Sequence, residues 1–167
     1  MEMQTPRLRI TRFTPDMTEA VHLNSLDADM RRFVPDEVFE TLEEARETVA
    51  FLISRYGGAE GPFVYPVLLK NGANIGYVQL APVGDGWEIG YHIAAPYTGK
   101  GYATEAVRAF LPAMMEKMGL HTVHGICLAD NLASRRVLEK CGFALAFSGV
   151  GPYQGDMRPI RRYVYQR

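Results

Sequence analysis

Between residues 63 and 118 the hydrophobic period of the chain changes once, and that change restricts the possible folds more than any other feature. Residues 63–69 and 74–81 are β-rich runs joined by Lys70-Asn71-Gly72, whose Asn-Gly pair offers the positive φ angles of a tight hairpin. A third run, 87–93, follows the turn Gly84-Asp85-Gly86, so the three form an antiparallel meander. From Ala103 onward the apolar positions Ala106, Val107, Phe110, Leu111, Met114 and Met118 fall at helical spacing and stop at Gly119. Pro112 predicts a kink inside that helix. A meander followed by a long amphipathic helix calls for a layered arrangement in which the helix covers one face of the sheet.

The flanking segments extend the same plan. Residues 8–13 alternate apolar and polar side chains, as a half-buried strand does, and Thr14-Pro15-Asp16 reads as a helix start. After a broken stretch at 30–39, Thr41-Leu42-Glu43-Glu44 has capping-box spacing. Leu42, Ala45, Val49, Leu52 and Tyr56 then share one helical face until Gly57-Gly58. Residues 122–128 read as a buried strand and 134–140 as a helix stopped by Gly142. Residues 143–147 and 160–165 read as closing strands, and the Gly/Pro-rich stretch 149–159 as a loop. The expectation is a mixed α/β fold, an α+β sheet of about seven strands with about four helices, in one domain spanning 1–167. No internal repeat, low-complexity tract or linker interrupts it.

Composition narrows the partners. With 47% hydrophobic and 22% charged residues the chain matches a globular domain, and a formal net charge of −1 argues against nucleic acid as a partner. Residues 1–60 carry 7 Lys/Arg against 12 Asp/Glu, and residues 61–167 carry 11 against 7, so the C-terminal part is the better host for an anion and the acidic part for a cation. No run approaches eighteen consecutive apolar residues, and charges occupy the region where a signal peptide would be apolar, which points to a cytoplasmic protein without membrane segments. Cys127 and Cys141 have no metal-ligand spacing and make no disulfide framework, so free thiols and no metal are expected.

Gly99-Lys100-Gly101-Tyr102-Ala103-Thr104 stands where a strand has ended and the long helix begins. The first N–H groups of a helix have no intrahelical partner and converge outward, so this junction suits an anion. Lys100 adds a charge. A Walker A loop requires four residues between its first Gly and Gly-Lys-Ser/Thr, and the dinucleotide motif requires a third glycine; neither is present. A pyrophosphate held by other means remains.

At this point the chain resembles the GNAT superfamily of N-acetyltransferases, in the branch that includes ribosomal-protein N-terminal acetyltransferases. The resemblance runs from residues 5–13 through Ile75-Gly76-Tyr77 and Glu88-Ile89-Gly90-Tyr91 to the glycine loop followed by Glu105-Ala106, and closes with residues 131–143. It implies acetyl-CoA as acetyl donor in a cleft where two parallel central strands, 88–93 and 122–128, splay apart. It places the pyrophosphate on Gly99, Lys100, Gly101, Tyr102, Ala103 and Thr104, the pantetheine arm along the backbone of Ile93 and Ala94, and Asn131 and Ser134 near the pantetheine and sulfur. Thr98 stands where the family has Arg or Gln, which shortens one side chain at the phosphates, and Leu138 stands where many members have a tyrosine acid.

The resemblance implies transfer to a primary amine, a protein N-terminus or a small molecule, by direct attack in a ternary complex of a monomer or homodimer. A lysine amine with pKa of about 10.4 must be deprotonated first, whereas an α-amino group near 8 is already partly neutral. Glu88 is the candidate base, directly or through water, and Ser134 the candidate donor to sulfur. His92 shares the strand face of Glu88 and reads as a packed histidine; Trp87, Tyr91, Tyr97, Phe33 and Tyr153 are candidates for an acceptor pocket. The rival function is a noncatalytic acyl-CoA-binding sensor or an interaction module on the same fold.

Overall fold

The computed structural model describes residues 2–167. Its strands are β1 (Met3–Gln4), β2 (Leu8–Ile10), β3 (Phe63–Leu69), β4 (Asn74–Val83), β5 (Gly86–Ile93), β6 (Thr122–Leu128), β7 (Ala144–Tyr153) and β8 (Asp156–Gln166). The helices are α1 (Thr18–Ser25), α2 (Ala28–Phe33), α3 (Leu42–Arg55), α4 (Tyr102–Met118) and α5 (Leu132–Lys140). The strands form one sheet in the order β1-β2-β3-β4-β5-β6-β8-β7. Every neighbouring pair is antiparallel except β5 and β6, which run parallel and are matched only at Glu88–His124 and Ile89–Gly125. Beyond those two positions the strands separate.

The helices divide between the two faces. α4 lies on one face with Ala106, Val107, Phe110, Leu111, Met114 and Met115 buried, and α5 packs beside it on β6. α1 and α3 cover the other face, where α3 buries Ala45, Val49 and Leu52. Each large apolar side chain buried in this way contributes about 1.5–3 kcal/mol. The Thr41 hydroxyl accepts from the Glu44 N–H at 3.1 Å, and the Glu44 carboxylate turns back to accept from the N–H of Glu40 at 2.9 Å. The cap expected from Thr41 is therefore present, with its reciprocal arm shifted one residue earlier.

Several sequence expectations are corrected. The segment 149–159 is a two-stranded ribbon, not a loop: β7 and β8 pair through Tyr153–Asp156, and only Gln154 (φ 49°) and Gly155 (φ 80°) turn the chain. β7 is exposed along most of its length, so no apolar alternation marks it as a strand. The sheet has eight strands because the two-residue β1 adds to β2. A fifth helix, α2, occupies part of the broken stretch; six residues are too few to show a period, and its signal is the Asp27 cap, whose Oδ1 accepts from the Met30 N–H at 2.8 Å. In the β3–β4 turn only Gly72 has a positive φ, 93°, while Asn71 accepts from the Ala73 N–H through its side chain. α4 continues as one helix through Pro112.

Candidate active site

The separation of β5 from β6 opens a cavity of about 580 Å³ between α2, α4 and α5. Its lining brings together Ile93, Thr98, Gly99, Gly101, Tyr102, Ala103, Thr104, Asn131 and Ser134. Two predicted residues stand apart. Lys100 is exposed on the loop and does not border the cavity. Ala94 is 4% exposed, gives its N–H to the Ile75 oxygen at 2.8 Å and accepts from the Tyr97 N–H at 2.9 Å, so a ladder through this residue would have to share its carbonyl.

Gly101 is the N-cap of α4 with φ 82°, Gly99 has φ 76°, and no side chain caps the helix end. These are left-handed conformations that other residues adopt only with strain. The absence of a capping side chain leaves the first-turn N–H groups available to a ligand. The loop is braced from the N-terminal end of the chain. The Thr5 hydroxyl donates to Glu105 Oε2 at 2.6 Å, and the Arg7 Nε–H donates to Glu105 Oε1 at 2.8 Å. Arg7 also donates to the Lys100 carbonyl at 2.9 Å and lies 4.4 Å from the centre of the Tyr102 ring. Burial raises the pKa of Glu105, but hydrogen bonds from Thr5 and Arg7 outweigh it and hold the carboxyl below its ordinary value.

On the opposite wall Asn131 caps α5, its Oδ1 accepting from the Ser134 N–H at 3.2 Å. Ser134 is thus the third residue of α5 and not its cap. Its hydroxyl lies 3.0 Å from the Tyr91 hydroxyl, which also donates to the Ser134 carbonyl at 2.9 Å. Burial keeps Tyr91 far above the ordinary phenol value, so it stays protonated and able to donate. Tyr91 lines this cavity, as do Phe33 and Tyr97. Leu138, 1% exposed, packs beneath the cavity against Gly125. The thiols of Cys127 and Cys141 are pushed up to about 11 by burial and remain protonated at neutral pH.

A second cavity of about 410 Å³ lies on the other face, walled by α1, α3 and β4. Phe13, Phe39, Phe51 and Leu52 give it an apolar body, and Glu37, Tyr77 and Gln79 a polar end. Tyr77 donates to Glu37, whose carboxyl burial pushes above its ordinary value. Glu88 borders neither cavity; burial, with the Glu37 charge nearby, pushes its carboxyl up to about 7. Trp87 stacks on Phe63 with ring centres 5.7 Å apart, and Tyr153 donates to the Phe33 carbonyl, so neither lines this second cavity. Sequence reasoning missed Glu37, Tyr77 and the aromatics of 13, 39 and 51. Only their fold-dependent convergence marks them.

Comparison with known proteins agrees with this architecture. Residues 7–144 match the family described as the acetyltransferase (GNAT) domain. The chain is 32% identical over 145 residues to the uncharacterized N-acetyltransferase YnaD of Bacillus subtilis, covering 85% of this chain and 82% of that one. The crystal structure of a GNAT-family acetyltransferase from Bacillus anthracis superposes with a TM-score of 0.83 at 28% identity, covering 99% and 98% of the two chains. A complex of RimL, a ribosomal L7/L12 α-N-protein acetyltransferase, with coenzyme A shares the fold at a TM-score of 0.86 and 19% identity, over 99% and 98%. With its parallel pair parted beside a glycine loop that opens a helix, and with a family match over most of its length, the chain belongs to the GNAT family of acetyl-CoA-dependent N-acetyltransferases.

Proposed function

We propose that the protein transfers the acetyl group of acetyl-CoA to a primary amine, a protein or peptide N-terminus or a small molecule, by direct attack in a ternary complex. One observation carries this reading. The uncapped start of α4 and the start of α5 face the same cavity in the gap between β5 and β6, and a second cavity reaches β5 from the other side. The donor set fits a pyrophosphate: first-turn N–H groups, with Arg136 and Lys140 in the cavity wall. When bound, acetyl-CoA supplies an acetyl group activated on sulfur.

The chain's own residues do the remainder. The N–H groups of residues 99–104 hold the diphosphate, with Thr98 beside them, and Ile93 offers main-chain groups to the arm more freely than Ala94. Asn131 fixes the first turn of α5, which sets Ser134 and Tyr91 as coupled donors to the departing thiolate. Glu88, with a carboxyl poised near neutrality, accepts protons through water because it does not border the cavities. A cytoplasmic setting agrees with the two free cysteines.

Calorimetry with acetyl-CoA tests the reading. Wild type should bind, and Gly101→Glu should lose binding by at least about a hundredfold, because the carboxylate repels the diphosphate and the left-handed φ of 82° strains any side chain. Equal affinity of the two proteins would refute the placement. Thiol release across a panel of amines separates enzyme from sensor: binding without release favours the sensor.

A further inference from the structure

The two cavities have one lining residue in common, His92. Its Nε2 lies 2.9 Å from Asp27 Oδ2, and the two side chains are 12% and 13% exposed. An ionised carboxylate only accepts, so Nε2 carries the hydrogen and Nδ1 of the neutral ring keeps its lone pair. Nδ1 makes no hydrogen bond within the described residues and is not among the sealed polar atoms, so it remains open to solvent or substrate. Asp27 is fixed from two further directions. Its Oδ1 accepts from the Met30 N–H at 2.8 Å and its Oδ2 from the Ala95 N–H at 3.2 Å.

Four groups that titrate or carry charge surround the ring. Asp27 and Asp29 approach from the start of α2, the Tyr77 ring from β4 at 6.2 Å between centres, and Glu37 lies behind Tyr77 on its hydroxyl. Burial pushes the imidazole below its ordinary value and outweighs the opposing pull of Asp27, so the ring is neutral at pH 7.

We infer that His92 is the catalytic base that receives the proton of the acceptor amine, with Asp27 as its positioning residue. The inference rests on the acetyl-transfer reading and adds the site where the amine is delivered. The amine enters from the apolar cavity and its nitrogen attacks the thioester carbonyl. The C–N bond forms, the C–S bond breaks and the N–H proton passes to Nδ1. The thiolate accepts a hydrogen bond from the Ser134 hydroxyl beside Tyr91 and takes its proton from solvent, and His92 returns its own proton to solvent. The balance is amine plus acetyl-CoA to amide plus free thiol. Glu88 stands on the same strand face beyond Gly90 and acts only at one remove.

The test uses the whole chain with acetyl-CoA and a panel of arylalkylamines, amino-acid amides and short peptides with free N-termini. His92→Gln should bind acetyl-CoA within about twofold of wild type and lose about a hundredfold or more in kcat/KM. His92→Ala should recover part of its turnover on addition of imidazole. Asp27→Asn can still cap α2 through its oxygen, but it turns an amide donor toward Nε2 and forces the hydrogen onto Nδ1. Nitrogen-15 spectra of the His92 ring should then show the reversed tautomer, with kcat reduced and the acceptor KM little changed. The acidic limb of kcat/KM should move to lower pH, since the carboxylate that favours imidazolium is gone. Should His92→Gln keep the wild-type rate and pH profile, or the wild-type ring carry its hydrogen on Nδ1, the assignment is overturned while acetyl transfer stands. A wild type that binds acetyl-CoA but acetylates nothing in the panel overturns both.

Discussion

Glu88 shows how burial changes the meaning of a residue type. Alternation along the third β-run puts Glu88 and His92 on one face, and that much is legible in the sequence. The raised carboxyl of Glu88 is not, because it depends on burial within the folded sheet and on the charge of Glu37, which arrives from a distant segment. The Asp27–His92 pair is illegible for the same reason, its partners lying 65 positions apart. A carboxyl raised to about 7 from an unfolded value near 4 contributes stability that is complete below the unfolded pKa and lost as pH rises through 7. Glu88→Gln should therefore gain on wild type by about 2 kcal/mol between about pH 5 and about pH 8, read as denaturant midpoints at the two pH values. An equal difference at both would show that the Glu88 carboxyl ionises normally in the folded state.

Among the elements, the junction before α4 depends on residues nearly a hundred positions earlier. Thr5 and Arg7 converge on Glu105, and Arg7 reaches on to the Lys100 carbonyl. Glu105→Ala should loosen the loop and weaken acetyl-CoA by about tenfold, raising its KM with little change in kcat, since charge-assisted bonds of this kind are worth about 1.5–3 kcal/mol and partial exposure reduces that. Unchanged KM would show that the loop holds its shape without the brace. Because the folded pKa of Glu105 is depressed, the brace should also weaken as pH falls through that value. α3 and α4 are legible because 14 and 17 residues give the helical period room to repeat. The β7–β8 ribbon is not, since its exposed strand lacks a buried face and its Gly and Pro residues imitate turns.

For the molecule as a whole, the glycine loop and the start of α5 were readable as sequence patterns, and the fold brings them to one cavity. The second cavity was unreadable, since its walls come from α1, α3 and β4 together. If acetyl-CoA binds only the folded chain, saturation at about a hundred times Kd adds about 2.7 kcal/mol and should raise Tm by about 5–10 °C. Differential scanning calorimetry reads this directly, and an unshifted transition would count against the cofactor cleft. The parting of β5 and β6 after two residue pairs has a wider consequence. Unmated strand borders ordinarily invite foreign strands and aggregation. Here that border faces a cavity flanked by α2, α4 and α5, and under the proposed function its main-chain groups would pair with a ligand arm in place of a strand. On that reading, a border that could otherwise template self-association is given over to ligand recognition.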